Sequence, residues 1–112
     1  MPFLRNAEKA IVPVKKIRDY ALNPDHVEGG HKARVFRAAT GLTRADHGLL
    51  IEQIRRGILR YEALPSGSYE GQVKYQVDMP IAGPTGTATL RTAWIYEDEH
   101  DGAPRLVTAY IL

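Results

Sequence analysis

At 112 residues the chain is one domain's length, enough to bury about two-thirds of its unfolded surface around a single core. With 44% hydrophobic and 25% charged residues and no cysteine, it reads as a soluble globular protein. Disulfide scaffolds, thiolate metal sites and cysteine nucleophiles are excluded. No apolar run reaches the ~18 residues of a membrane span and the N-terminus lacks a signal-peptide core, so no membrane partner is expected and a cytoplasmic location is, whether in the producing cell or by delivery into a target cell's cytoplasm.

The net charge of +2 divides unevenly. Residues 1–60 carry 12 Lys and Arg against 6 Asp and Glu, whereas residues 61–112 carry 3 against 7. Such a split suits a nucleic-acid-facing half beside a partner-facing one, or simply helices that hold more solvated cations than strands do.

In chain order, Pro13 sits well as the first residue of a helix, and Val14, Ile17, Tyr20 and Ala21 follow at helical spacing to about Leu22. The Asn-Pro-Asp turn at 23–25 ends it. A second helix is predicted over 30–39, with Ala33 and Phe36 inward and Gly41 as its stop. Thr43 and Asp46 then form a capping pattern before Leu50, Ile51, Ile54, Ile58 and Leu59, the clearest apolar stripe. From Tyr61 the period becomes two. Val73, Tyr75, Val77, Met79 and Ile81 alternate with polar residues, 83–86 is a hairpin loop, and strands follow over 87–96 and 105–112. A short strand near 61–64 completes the meander. The expected fold is α+β in a single domain, 1–112: two or three N-terminal helices packed on one face of a three- to four-stranded antiparallel sheet.

None of the four histidines, His26, His31, His47 and His100, stands at metal-ligand spacing, and neither a metal nor a cofactor is expected. The densest segment is 23–36, NPDHVEGGHKARVF. There Lys32 and Arg34 oppose the dipole at a helix N-terminus, a conflict that a bound anion would relieve, phosphate being the natural candidate. Otherwise both are merely solvated. A second cluster joins Arg91, Thr92 and Trp94 to Arg105, Thr108 and Tyr110. Simple alternation puts Arg105, Val107, Ala109 and Ile111 on one face and Leu106, Thr108, Tyr110 and Leu112 on the other. Arg105 either meets an anion or pairs with Glu97, Asp98 or Asp101. Trp94 is placed to stack a base, or to fill the core. Metal-independent RNA cleavage needs a base, an acid and cations around the phosphate, and the two clusters hold that inventory.

The stretches NAEKAIVP at 6–13, KIRDY at 16–20, LNPDH at 22–26 and GHKARVF at 30–36, with Trp94-Ile95 and PRLVTAY at 104–110, resemble an uncharacterised family of small bacterial toxin-like domains. That family occurs as stand-alone proteins beside small antitoxin-like neighbours, and as C-terminal tips of polymorphic toxins and phage head proteins. The order of helices then meander is similar to the barnase/EndoU/RelE-like ribonuclease superfamily. The resemblance implies a toxin cleaving tRNA, rRNA or mRNA by metal-independent transesterification, held in check by a cognate antitoxin or immunity protein. His31, Lys32, Thr108 and Tyr110 would be catalytic, and Arg34, Arg105, His26, Thr92 and Trp94 would bind substrate. Ile111-Leu112 replaces the family's usual proline after Tyr110, and Ala21 stands where leucine is commoner. The rival expectations are a non-catalytic protein-binding, phage accessory or immunity-like module, and an RNA binder that does not cut.

Overall fold

The computed structural model describes residues 2–97 and 102–112. Residues 98–101, with Asp98, His100 and Asp101, lie outside the described residues. Helix α1 spans Gly30–Thr40 and helix α2 spans His47–Arg60. Four antiparallel strands follow in the order of the chain: β1 (Ala63–Tyr69), β2 (Gln72–Gly83), β3 (Gly86–Tyr96) and β4 (Pro104–Ile111). The class is α+β, and the strand count is at the upper end of the expectation.

The helix ends follow their chemistry. Gly41 closes α1 at φ 79°, a left-handed conformation that glycine adopts without steric cost. Thr43 and Asp46 form a reciprocal capping box over the single 3-10 turn Arg44–Asp46, which feeds α2. Gly83 pairs with Gly86 across the β2–β3 hairpin, where the loop was expected. The first helix differs from its prediction. After Val14 and Lys15 it widens into a π-helical turn, Lys16–Ala21, with Leu22 N–H bonded to the Ile17 carbonyl. Ile17, Ala21 and Leu22 are buried, but Val14 is exposed and Tyr20 only half-buried.

Val77, Met79, Ile81, Leu90, Trp94, Leu106 and Ala109 of the sheet share the main core with Phe36 of α1 and Leu50, Ile54 and Ile58 of α2. Alternation then sends Lys74, Gln76 and Asp78 of β2, and Arg91, Ala93 and Ile95 of β3, to the second sheet face. In β4 the alternation is broken. Ala93 pairs with Thr108 but Trp94 pairs with Leu106, so Val107 is an extra, bulged residue. The predicted division of β4 is therefore corrected. Leu106, Ala109 and Ile111 face the main core, while Arg105, Val107, Thr108 and Tyr110 share the second face. Val107 forms a small cluster there with Ala93 and Ile95.

The N-terminal segment makes a belt across one end of the sheet. The Pro2 carbonyl accepts from Ala63 N–H of β1, and the Tyr96 hydroxyl of β3 donates to the Arg5 carbonyl at 2.6 Å. Ile11 then forms a parallel bridge beside Arg105, bonded to the Pro104 carbonyl and the Leu106 N–H of β4.

Candidate functional site

The second sheet face meets the start of α1 and the π-helical turn at the β4 edge. Lys32, in the first turn of α1, donates from Nζ to Thr108 Oγ1 at 3.2 Å, joining residues 76 apart in sequence. Its ammonium stands 5.4 Å from the ring centroid of Tyr20 and 5.4 Å from that of Tyr110, so two aromatic faces hold the cation. Burial, and then the neighbouring charge of Lys16, weaken the hold of Lys32 on its proton.

The two partners of this contact each line a recess, Thr108 the larger and Lys32 the smaller. The larger, about 420 Å³, is lined by Lys16, Tyr20, Glu28, Tyr69, Lys74, Val107 and Thr108. The smaller, about 170 Å³, is lined by His31, Lys32, Val35, Tyr110 and Ile111. Residues from the π-helical turn, α1, β1, β2 and β4 thus line these two recesses with cations, phenols and an imidazole. Tyr110 sits across from Arg91 in the β3–β4 register, and Asp78 grips that guanidinium with two 2.9 Å hydrogen bonds. The carboxylate, with the Tyr110 phenol adding to it, raises the proton affinity of Arg91 still further.

The structure brings His31, Lys32, Thr108 and Tyr110 together. It separates the other candidates. Arg105 shares the face but is ion-paired with Glu97, one of the three partners considered for it, which also strengthens its proton affinity. Arg34 lies on another side of α1, beside a groove of about 300 Å³ with Arg37 and Arg44. His26 holds a turn: its Nδ1 accepts the N–H groups of Glu28 and Gly29, both at 3.0 Å. Thr92 and Trp94 do not reach the site. Both are fully buried in the main core, where Trp94 Nε1 donates to Thr92 Oγ1 and Thr92 Oγ1 donates to the Val77 carbonyl, each at 2.8 Å. A base has no access to that indole, so the stacking role expected for it is corrected to a core role.

Sequence reasoning overlooked Lys16, Tyr20, Glu28, Tyr69 and Lys74. Tyr20 was assigned to an apolar stripe, although Lys16 and Tyr20 stand four apart on one turn and signal a shared face. Tyr69 and Lys74 flank the β1–β2 turn, and only the fold of the sheet brings them to Val107.

No helix among the described residues is long and apolar enough to cross a membrane. No protein of curated function matches the chain. Among solved structures, it is similar to a chain in a contact-dependent growth inhibition toxin–immunity protein complex from Klebsiella pneumoniae 342, with a TM-score of 0.63 and 11% sequence identity. That likeness covers 96% of this chain and 97% of the other, and it is one of fold. The family described as Domain of unknown function (DUF6883) matches residues 3–112, and the protein belongs to that family.

Proposed function

We propose that the protein is a ribonuclease toxin that cleaves RNA by internal transesterification and is restrained by an immunity protein or antitoxin. The observation that carries this reading is the Lys32–Thr108 hydrogen bond, set between two tyrosines with His31 on the adjoining recess. In the reaction a base takes the proton of a ribose 2′-hydroxyl, and the 2′-oxygen bonds to phosphorus. The bond from phosphorus to the 5′-oxygen then breaks as an acid protonates that oxygen. The products are a 2′,3′-cyclic phosphate and a 5′-hydroxyl. His31 and Tyr110 are the proton-transfer groups, and the Lys32 ammonium with the Thr108 hydroxyl holds the phosphate as negative charge gathers on it. Arg105 joins by exchanging Glu97 for phosphate. Helices over one sheet face with chemistry on the other, the barnase-like arrangement, is part of the same reading. The fold shared with a chain of a toxin–immunity complex supports a toxin with such a partner.

The test is purified protein incubated with total RNA in EDTA, with fragment ends mapped. Wild type is expected to leave 2′,3′-cyclic phosphate ends. Lys32→Ala and His31→Ala, checked for folding by circular dichroism, are expected to cut about 10²–10⁴-fold more slowly. Intact RNA with wild type overturns the reading, and RNA retained without cutting in a steeply salt-dependent manner makes the protein a binder instead.

A further inference from the structure

The loop before α1 is built more tightly than a connector needs. His26 Nδ1 accepts two N–H groups at once, so the ring carries its proton on Nε2, and the backbone at Glu28 is pinned. The same ring meets Tyr20 edge-on, with centroids 4.6 Å apart. Gly29 passes so close to the π-helical turn that a Cβ there would stand 2.5 Å from the Tyr20 carbonyl oxygen. At Gly30 a Cβ would stand 2.6 Å from the Pro24 carbonyl oxygen. Both glycines are therefore required by close approach, and together they set Glu28 at the rim of the 420 Å³ cavity.

That cavity has a distinctive chemistry. Lys16 and Lys74 suit a phosphate, and Tyr20 and Tyr69 suit the flat face of a base. A volume of about 420 Å³ falls in the ordinary range for small-ligand sites, about 300–1,000 Å³. Glu28 is out of place for anion binding alone, because a carboxylate repels the phosphate its neighbours attract. It fits if it accepts N–H donors from the base. Guanine alone among the four bases offers two donors side by side, the ring N1–H and the 2-amino group, and a carboxylate's two oxygens accept both. Adenine and cytosine put a ring acceptor beside the amino group, and uracil sets its N3–H between two carbonyls. Those acceptors repel the carboxylate.

We propose that this cavity is a nucleotide subsite of the cleavage site and that Glu28, held by His26, Gly29 and Gly30, selects guanine in unpaired RNA. The proposal rests on the ribonuclease reading for its place in the reaction, but base selection is measurable without cleavage. Binding of guanosine, adenosine, cytidine and uridine 3′-monophosphates to the whole chain is compared by titration. Guanosine monophosphate is expected to bind at least about tenfold tighter than the others, the span of a good bidentate contact. Glu28→Gln is expected to bring all four within about twofold with an unchanged melting temperature, and Tyr69→Ala to weaken all four alike, as loss of stacking does. Equal binding of the four by wild type, or a guanine preference that survives Glu28→Gln, overturns the proposal. Guanine selection by a protein that leaves RNA intact sinks the ribonuclease reading and leaves this one standing. Cleavage with no base preference, unchanged in Glu28→Gln, does the reverse.

Discussion

At Lys32 an ammonium is carried into a place that water only partly fills. Partial burial disfavours the charged form, and Lys16 adds like-charge repulsion, so the folded chain binds this proton less tightly than the unfolded chain, whose ordinary lysine value is 10.5. Below the lowered value the amine is charged in both states and the folded chain carries the whole cost. Between that value and 10.5 the unfolded chain holds more protons, so stability gains with rising pH. Lys32→Met lacks this contribution. The melting temperature of Lys32→Met minus that of wild type is therefore expected to be level where the amine is charged in both states and to fall as pH is raised through the lowered value towards 10.5. A difference that stays flat or grows would mean that Lys32 is at ease where it sits. The residue types of the candidate site were legible in the sequence, because the proposed phosphate chemistry, without cysteine, calls for imidazole, amine, guanidinium and hydroxyl groups. Their placement was less so. Thr92 and Trp94 carry the right groups but spend them on each other in the core, and His26 spends its Nδ1 on a turn. Counting residue types cannot tell a hydroxyl that waits for a ligand from one already bonded.

Packing between elements turns on small residues. Gly57 of α2 lies against Met79 of β2, and an added Cβ would fall inside the thioether and 3.2 Å from the Met79 Cβ. Replacing it with alanine gains about 1 kcal/mol of helix propensity. Overpacking costs about 1–3 kcal/mol, and here it includes a contact with the stem of Met79 that no rotation of the thioether relieves. Overpacking wins. Gly57→Ala is expected to lower the urea midpoint, and to lower it less in a Met79→Ala background, where the thioether is gone and only the Cβ contact remains. A higher midpoint in Gly57→Ala would show that helix and strand part without cost. The ends of α1 and α2 were legible because Gly41 and the Thr43–Asp46 pair announce them in local chemistry. The β4 bulge was not, since Val107 is an ordinary strand residue and nothing local marks it as the one extra. Yet that one residue unites Arg105, Thr108 and Tyr110 on the face that strict alternation divides.

For the whole molecule, the sheet and its two edges decide what is left open. At the β1 edge the Ala63 N–H is taken by Pro2, and Pro65 two residues on has no N–H to offer. The bridge at Ile11 covers the start of the β4 edge, so the Thr108 side of β4 is left to meet Lys32. This belt was illegible in the sequence, because residues 2–12 follow no period and bond through backbone groups to strands some 60 to 100 residues away. It is more than a cover. Leu4, Ala7, Ala10 and Val12 are buried in the main core, and Asn6 Nδ2 donates to the Gly102 carbonyl at 3.0 Å. Burying a leucine or valine side chain contributes about 1.5–3 kcal/mol, and each backbone bond to the belt leaves an unpaired strand group when removed. Against a typical domain stability of about 5–15 kcal/mol, losing Leu4, Val12 and three sheet bonds is close to the whole reserve. Deletion of residues 2–12 is therefore expected to abolish cooperative thermal unfolding at neutral pH. Leu4→Ala alone is expected to lower stability by about 2–5 kcal/mol while leaving a single transition. A deleted chain that still melts cooperatively near the wild-type temperature would show the belt to be an ornament of the sheet, with α1, α2 and the strands holding the Lys32–Thr108 site together without it.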